Sequence, residues 1–484
     1  MKRALNIPSI ILKIFTKSSF LIYFLGLLSF SQKQHNVLFI AFDDLRPLIG
    51  AYGESEPITP NINALANESV LFSKSYVSYP LCLPSRAAML TGIRFNNQNW
   101  VNGKKVWTFS KMIDIQSTWP KVLKDNGYWT ATRGKIYHGN VPATDKDAWD
   151  IAGKAKAGHN DAGPEVEPYI VEIGGRHDQI EEYYKTDRGP GALLYASVDG
   201  PDNLLNDGKT ADDVIKYIKD RRDKSKPFLI SCGFWRPHMP WVAPKKYFDL
   251  YPEDAGKLAY IPEGADKDIS KDVYQGRGAA FGWNEGVDDK TAKKLIRGYM
   301  ASVSYADAQM GKVIQVLKDE GLYDNTIIIV WGDHGYHLTD HGKWRKNTGY
   351  NVSLRNPFII KTPNTKAPKV IDNVVQNIDI YPTVLELLGI SQPKNITLHG
   401  RSLVPLLMND DVAWNNTVYT CALGNYGLIT QRYRFTKLNE GGYQLFDLKK
   451  DPHEWNNLAN KKKYKSLINN FEHELGEVVW NKPR

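Results

Sequence analysis

Four short stretches of this 484-residue chain gather residue types that can act on an anion. The most specific is Leu81-Cys82-Leu83-Pro84-Ser85-Arg86-Ala87-Ala88-Met89-Leu90-Thr91-Gly92. Pro84 suits a first helical position and Ala87 to Leu90 are good helix formers, so a helix is expected from about Pro84. Cys82 then lies at a helix N-terminus, where free N–H groups and the helix dipole favour negative charge. Arg86 adds a planar cation one turn on. A lone cysteine is ordinarily an inert buried residue. The C-x-P-S-R spacing speaks against that here, because a chain of this length matches it by chance on the order of once in a thousand.

Two acidic pairs follow apolar runs. Asn36 to Phe42 leads into Asp43-Asp44, and Thr326 to Val330 leads into Asp333-His334. Beyond the carboxyl ends of parallel strands both pairs would face one crevice. Three carboxylates held together need a cation. Oxygen donors suit Ca²⁺ or Mg²⁺, and His334 leaves room for a transition metal. A single Asp after a strand is most simply a turn residue; two pairs at matching positions point to metal. Gly134-Lys135-Ile136-Tyr137-His138, Trp235-Arg236-Pro237-His238-Met239-Pro240 and Lys343-Trp344-Arg345-Lys346 supply further cations and imidazoles. Taken singly, each of these is an ordinary surface charge or a hydrogen-bonded histidine.

The elements that must position these groups alternate between strand and helix. Strands are expected at Asn36–Phe42, Trp129–Thr132, Phe228–Phe234, Thr326–Val330 and Phe358–Lys361. Helices are expected at Thr59–Asn67, Ser117–Asn126, Thr210–Arg222, Lys290–Glu320 and Tyr381–Leu388. The pattern is that of an α/β domain with a large, mostly parallel sheet flanked by helices. Residues 145–206 and 251–289 are irregular. From about Asp411 the texture changes to short strands at Val418–Leu423, Leu428–Lys437 and Tyr443–Leu448, followed by a helix at Lys461–Val479. That reads as a small α+β C-terminal subdomain with a short antiparallel sheet, which divides the chain into 32–410 and 411–484.

Residues 1–31 carry four cations ahead of the apolar run Phe20–Leu28 and end in small residues, the form of a cleaved signal peptide. The expected mature chain is exported, periplasmic or secreted, with no membrane span after leader removal. Its formal charge falls from +9 to +5 without the leader cations, a mild excess that favours polyanions. No basic run, zinc-finger spacing or aromatic RNA motif points to nucleic acid. Three cysteines, Cys82, Cys232 and Cys421, form no disulfide framework.

The ordered set resembles the type I sulfatases of the alkaline phosphatase superfamily, and among them the iduronate-2-sulfatase-like branch. The resemblance runs from Phe42-Asp43-Asp44-Leu45-Arg46-Pro47 through the Cys82 signature, Gly134-Lys135 with His138, and Pro237-His238 with Pro240. It continues through Asp333-His334-Gly335, His341-Gly342 with Trp344 and Lys346, and Gly400-Arg401-Ser402-Leu403. Leu445-Phe446-Asp447-Leu448, Asp451-Pro452 with Glu454, and Asn457-Leu458 close it.

The resemblance implies the alkaline-phosphatase-like fold and hydrolysis of sulfate esters on a sulfated carbohydrate. A uronic acid 2-sulfate from ulvan or a glycosaminoglycan is one such substrate. It implies that a formylglycine-generating enzyme oxidises Cys82 to formylglycine, whose aldehyde hydrate is the nucleophile. Asp43, Asp44, Asp333 and His334 would hold one calcium ion, in preference to magnesium, that also touches the modified residue 82. Arg86 and Lys135 would fix the formylglycine, and His238 and Lys346 would surround the leaving oxygen, with His238 as proton donor. His138 would take the proton that expels sulfate. Trp235 and Arg236, with Trp241, Lys104, Lys105, Trp107 and Arg176 further out, are candidates for the sugar pocket. Two other readings use the same residues: a phosphodiesterase or phosphonate monoester hydrolase of this fold, and a non-catalytic sulfated-glycan-binding protein. Oligomeric state does not follow from the sequence.

Overall fold

The apolar run that ends in Asp43 forms the central strand of the molecule. In the computed structural model, which describes residues 34–94, 116–155, 195–265, 287–365, 367–409 and 412–480, β1 (Asn36–Asp43) is buried along its whole length. A strand of this kind needs apolar cover on both faces, which a parallel sheet between helices provides. The other strands of the sheet are β2 (Val70–Tyr76), β3 (Trp129–Gly134), β4 (Ile151–Ala152), β5 (Phe228–Pro237), β6 (Thr326–Gly332), β7 (Phe358–Lys361) and β8 (Lys369–Gln376). Their spatial order is β8-β2-β7-β6-β1-β5-β3-β4. β7 runs antiparallel to β2 and β6; the remaining neighbours are parallel.

Alternation along β1 divides the interior. Leu38, Ile40 and Phe42 enter one core with residues of α1 (Pro60–Ala66), α4 (Asn206–Lys216) and α5 (Asp289–Asp319). Val37, Phe39 and Ala41 enter the other with α2 (Cys82–Thr91), α3 (Trp119–Asp125) and α6 (Ile380–Leu387). Truncating a central residue such as Phe39 to Ala would cost about 3–5 kcal/mol. Helix α5 starts where Asp288 caps it, its carboxylate accepting from Thr291 N at 2.8 Å.

The last part of the chain builds an antiparallel meander of β9 (Val418–Ala422), β10 (Asn425–Ile429), β11 (Tyr433–Lys437) and β12 (Tyr443–Asp447). Its apolar face packs on α7 (Lys465–Trp480) through Leu428, Phe435, Leu445, Ile468, Phe471 and Leu475. The described residues from His35 on form one compact unit.

Several boundaries differ from the sequence reading. Helix α2 begins at Cys82, with Leu81 as its N-cap, so Pro84 is its third residue and not its first. The run Leu428–Lys437 is not one strand. Thr430 closes a turn inside it, its hydroxyl accepting from Tyr433 N at 3.0 Å. Strands β2 and β8 have no counterpart among the expected elements. The leader and most of 145–206 and 251–289 lie outside the described residues, as do Lys104, Lys105, Trp107 and Arg176. Among the described residues no helix is long and apolar enough to cross a membrane. The three cysteines are free and buried.

Candidate active site

Strand register brings the acidic pairs together. Phe42 lies opposite Gly332, so Asp43 and Asp333 leave adjacent strand ends. On the other side of β1, a bulge after Phe42 places Asp43 opposite Pro237. Gly134 ends β3 beside Gly233 of β5. A Cβ on Gly134 would sit 1.9 Å from the Gly233 carbonyl oxygen, and its φ is +76°. Only glycine allows this crossing, which delivers Lys135 to the site. Asp44 itself takes a left-handed conformation, φ 64°, held by Asp44 N donating to Asp333 Oδ1 at 3.0 Å. Tyr299 of α5 donates to the Asp44 carbonyl at 3.0 Å and accepts from Arg46 N. Strain of this sort at a non-glycine residue persists where the surroundings over-determine it.

Cys82 is the centre of the cluster. Its Sγ lies 3.0 Å from Lys346 Nζ, 3.5 Å from His334 Nε2 and 3.9 Å from Asp44 Oδ1. Lys346 also binds Asp44, and Lys135 binds Asp43. Arg86 is fully buried; its Nε and Nη2 each lie 2.9 Å from Asp333 Oδ2, and its Nη1 donates to the Lys135 carbonyl. Ser85, the remaining polar residue of the Cys82 signature, donates to the Asp333 carbonyl at 2.5 Å, and Asn377 donates to the Ser85 carbonyl at 3.0 Å. No sequence signal marks Asn377.

Burial pushes the Cys82 thiol up, so as a cysteine it is a poor nucleophile. Burial also raises Asp44, and Asp333 to about 6. For Asp43 burial is outweighed by Lys135, His238, Arg86 and Lys346, which hold its carboxyl well below the usual range. Burial opposes the charge of Lys346, yet Asp44 keeps its ammonium well above the ordinary value.

The donor set fits a metal ion. Among the described residues Asp43 Oδ1 and Asp44 Oδ2 are buried without a hydrogen-bond partner, a costly state unless something else engages them. One ligand atom each of Asp43, Cys82, Asp333 and His334 lie within 4.8 Å of one another, and the same holds for Asp43, Asp44, Cys82 and His238. His334 Nδ1 is 2.8 Å from the Gly335 carbonyl. Nδ1 therefore carries the proton, and the Nε2 lone pair faces the cluster, the arrangement of a metal-binding imidazole. Burial and Lys346 push His334 down to about 3, which keeps that lone pair available.

The imidazoles occupy the rim. His238 Nε2 is 3.9 Å from Asp44 Oδ2, and its Nδ1 is 2.6 Å from the Met239 carbonyl. Burial, with Lys135 beside it, holds His238 well below its ordinary pKa. His138 follows β3 with an exposed side chain. Trp235 lies under Lys135, whose Nζ is 4.3 Å from the ring centre. Arg236 is 2% exposed, and its Nε and Nη1 donate to the carbonyls of Val242 and His238 at 2.9 and 2.7 Å. Trp241 is a core residue, fully buried against Tyr299, Tyr336 and Trp344.

A buried cysteine ringed by metal-type donors and cations thus lies at the carboxyl ends of a mixed sheet. Residues 35–390 match the model of the Sulfatase family, and residues 339–481 match that of the N-sulphoglucosamine sulphohydrolase C-terminal region. A sulfatase of Formosa agariphila is 31% identical over 90% of this chain and 84% of its own. Human iduronate 2-sulfatase is 29% identical over 77% of this chain and 68% of its own. The solved structure of a 2-O GAG sulfatase aligns with a TM-score of 0.69 at 22% identity, covering 93% and 92% of the two chains. A phosphonate monoester hydrolase of Agrobacterium radiobacter aligns equally well, TM-score 0.69 at 18% identity over 91% and 95%. The structural likenesses establish the fold. The chain belongs to the sulfatase family and is a sulfuric ester hydrolase.

Proposed function

We propose that the protein removes sulfate from a sulfated carbohydrate, with formylglycine made from Cys82 and a calcium ion held by Asp43, Asp44, Asp333 and His334. The observation that carries this is the setting of Cys82: a thiol whose pKa is driven up lies 3.0 Å from Lys346 and 3.5 Å from His334. The cations around this position suit a modified side chain that needs anion stabilisation. Formylglycine would supply a hydrated aldehyde as nucleophile, and the cation would supply Lewis-acid stabilisation of the sulfuryl oxygens.

The chain's own residues divide the remaining work. Lys135 and Lys346 bring positive charge to where a sulfate ester concentrates negative charge. Arg86 locks the Asp333 carboxylate and, with Lys135, braces residue 82. His238 directs Nε2 at the site because its Nδ1–H donates to the Met239 carbonyl; the negative charge of the substrate favours uptake of a proton from solvent at Nε2, and His238 gives that proton to the leaving sugar oxygen. His138, on the exposed side, accepts a proton during sulfate release.

The similarity to iduronate 2-sulfatase makes a uronic acid 2-sulfate at a chain end the first substrate to try. The leader supports an exported, periplasmic or secreted enzyme that meets such glycans outside the cytoplasm. Sulfate release from sulfated ulvan and glycosaminoglycan oligosaccharides, run against an aryl phosphodiester and a phosphonate monoester, tests the reading. Turnover is expected on at least one sulfated sugar. Faster turnover of the phosphorus esters would overturn it, and binding without release would assign the site to recognition alone.

A further inference from the structure

Arg236 was expected at the sugar pocket; its contacts give it another role. The turn Trp235–Val242 is closed from several sides. His238 N donates to the Trp235 carbonyl at 2.8 Å and Val242 N to the Pro240 carbonyl at 2.9 Å. Trp241 Nε1 donates to the Pro237 carbonyl at 2.8 Å. Arg236 spans the turn, with Nη1 on the His238 carbonyl at 2.7 Å and Nε on the Val242 carbonyl at 2.9 Å. Behind it Asp207, in the first turn of α4 and fully buried, accepts from Trp235 N at 2.8 Å and Arg236 N at 2.9 Å.

A buried guanidinium is expensive to desolvate. Closing a turn needs only a neutral donor. The rigid fork of Arg does something a neutral donor cannot, because it fixes two carbonyls four residues apart in one plane. One of the two belongs to His238, whose Nδ1 is in turn tied to the next carbonyl, Met239. The ring therefore has its backbone and its far nitrogen both fixed, and Nε2 faces the site, 3.9 Å from Asp44 Oδ2.

We propose that Arg236, seated by Asp207, is the positioning residue for His238 as proton donor to the leaving group. The inference rests on the proton-donor role assigned above to His238. In the step concerned an oxygen of the hydrated aldehyde proposed at residue 82 would form a bond to sulfur as the bond from sulfur to the sugar oxygen breaks; that electron pair goes to the sugar oxygen, and the Nε2 proton of protonated His238 passes to it. Arg236 touches neither reacting atom. It sets the distance over which the proton moves, and such transfers are sensitive to fractions of an ångström.

A double-mutant cycle in kcat tests this on whichever sulfated sugar the full-length enzyme turns over, with rates expressed per folded molecule. Arg236→Met is expected to lower kcat about 10-fold with KM changed far less, since proton donation typically contributes 10²–10⁴-fold. In a His238→Ala background the same change is expected to cost under about 2-fold, because residues that act through one group are not additive. Arg236→Lys, which keeps the charge and serves as a second variant if Arg236→Met folds poorly, should recover only part of the loss. Across aryl sulfates the Arg236→Met penalty should grow as the leaving phenol becomes less acidic. Equal costs of Arg236→Met in both backgrounds, or a lowered Tm with unchanged kcat, would overturn the inference and leave the His238 assignment standing. Unchanged kcat in His238→Ala alone would overturn both.

Discussion

The C-terminal part of the molecule and the carboxyl ends of β1 and β6 both bury charge, and they treat it in opposite ways. Beside the C-terminal meander, Arg434 and Glu454 are almost completely buried and bind each other. Arg434 Nη1 also donates to Thr436 Oγ1 at 2.6 Å, and Glu454 Oε2 accepts from Asn351 N at 2.7 Å. The guanidinium lies 4.7 Å from the Phe446 ring centre and 5.1 Å from that of Tyr350. Both carboxylate oxygens of Glu454 are engaged. At the carboxyl ends of β1 and β6, three carboxylates and three cations are packed as tightly, yet Asp43 Oδ1 and Asp44 Oδ2 have no hydrogen-bond partner among the described residues. The first region uses buried charge to fix structure. The second holds coordination open, and open coordination in a buried cluster is what chemistry needs.

That contrast can be broken from either side. Cys82→Ala should lower sulfatase activity by at least about 10³-fold, the scale of losing a covalent nucleophile, with the melting temperature little changed. A variant that keeps a tenth of the activity would remove residue 82 from the chemistry. Chelation should come next: dialysis against a chelator is expected to abolish turnover and lower Tm, and calcium to restore both. A site filled to 100 times its Kd stabilises by about 2.7 kcal/mol. Unaltered Tm and activity after chelation would show that the orphaned oxygens hold no metal.

The paired region should respond the other way. Arg434→Met leaves Glu454 buried and unpaired and should cost about 3–5 kcal/mol in denaturant unfolding. Turnover per folded molecule should stay within about 2-fold, since surface and structural pairs remote from the reacting atoms leave the barrier alone. A large loss of kcat in folded protein would erase the distinction between the regions.

Asp145 supplies a smaller, pH-dependent test. It accepts from Thr118 Oγ1 at 3.0 Å and from the Tyr137 hydroxyl at 2.5 Å, and burial raises it to about 6. The folded state therefore keeps a proton that the unfolded chain releases near pH 4. Stability from this group is fully present below pH 4 and is lost as pH rises through 6. The Asp145→Asn variant should lack that slope, gaining about 2 kcal/mol on the wild type between pH 4 and pH 6.5. Parallel pH curves for the two proteins would contradict the raised pKa.

Much of this was legible in the sequence because the relevant signals are local. The apolar runs before Asp43 and Asp333 can only be strands covered on both faces, and parallel strands put their carboxyl ends at one edge. The Cys82 signature carries its own spacing. What was not legible depends on partners far along the chain. Asn377 meets Ser85 only because the fold brings residues 292 positions apart together. The strand break at Thr430 rests on a hydroxyl, with no glycine or proline to announce it. Arg236, beside Trp235 and His238, looked like a substrate cation; nothing in the sequence shows that two backbone carbonyls take its donors.

The central claim concerns what residue 82 is in the working enzyme. Tryptic mass analysis of the peptide containing residue 82, from protein made with a formylglycine-generating enzyme and assayed for sulfate release in the same preparation, tests it directly. The account predicts a mass lower by about 18 Da, the change from CH₂SH to CHO, in a fraction that tracks specific activity. Fully active protein whose peptide carries an unmodified thiol would contradict it.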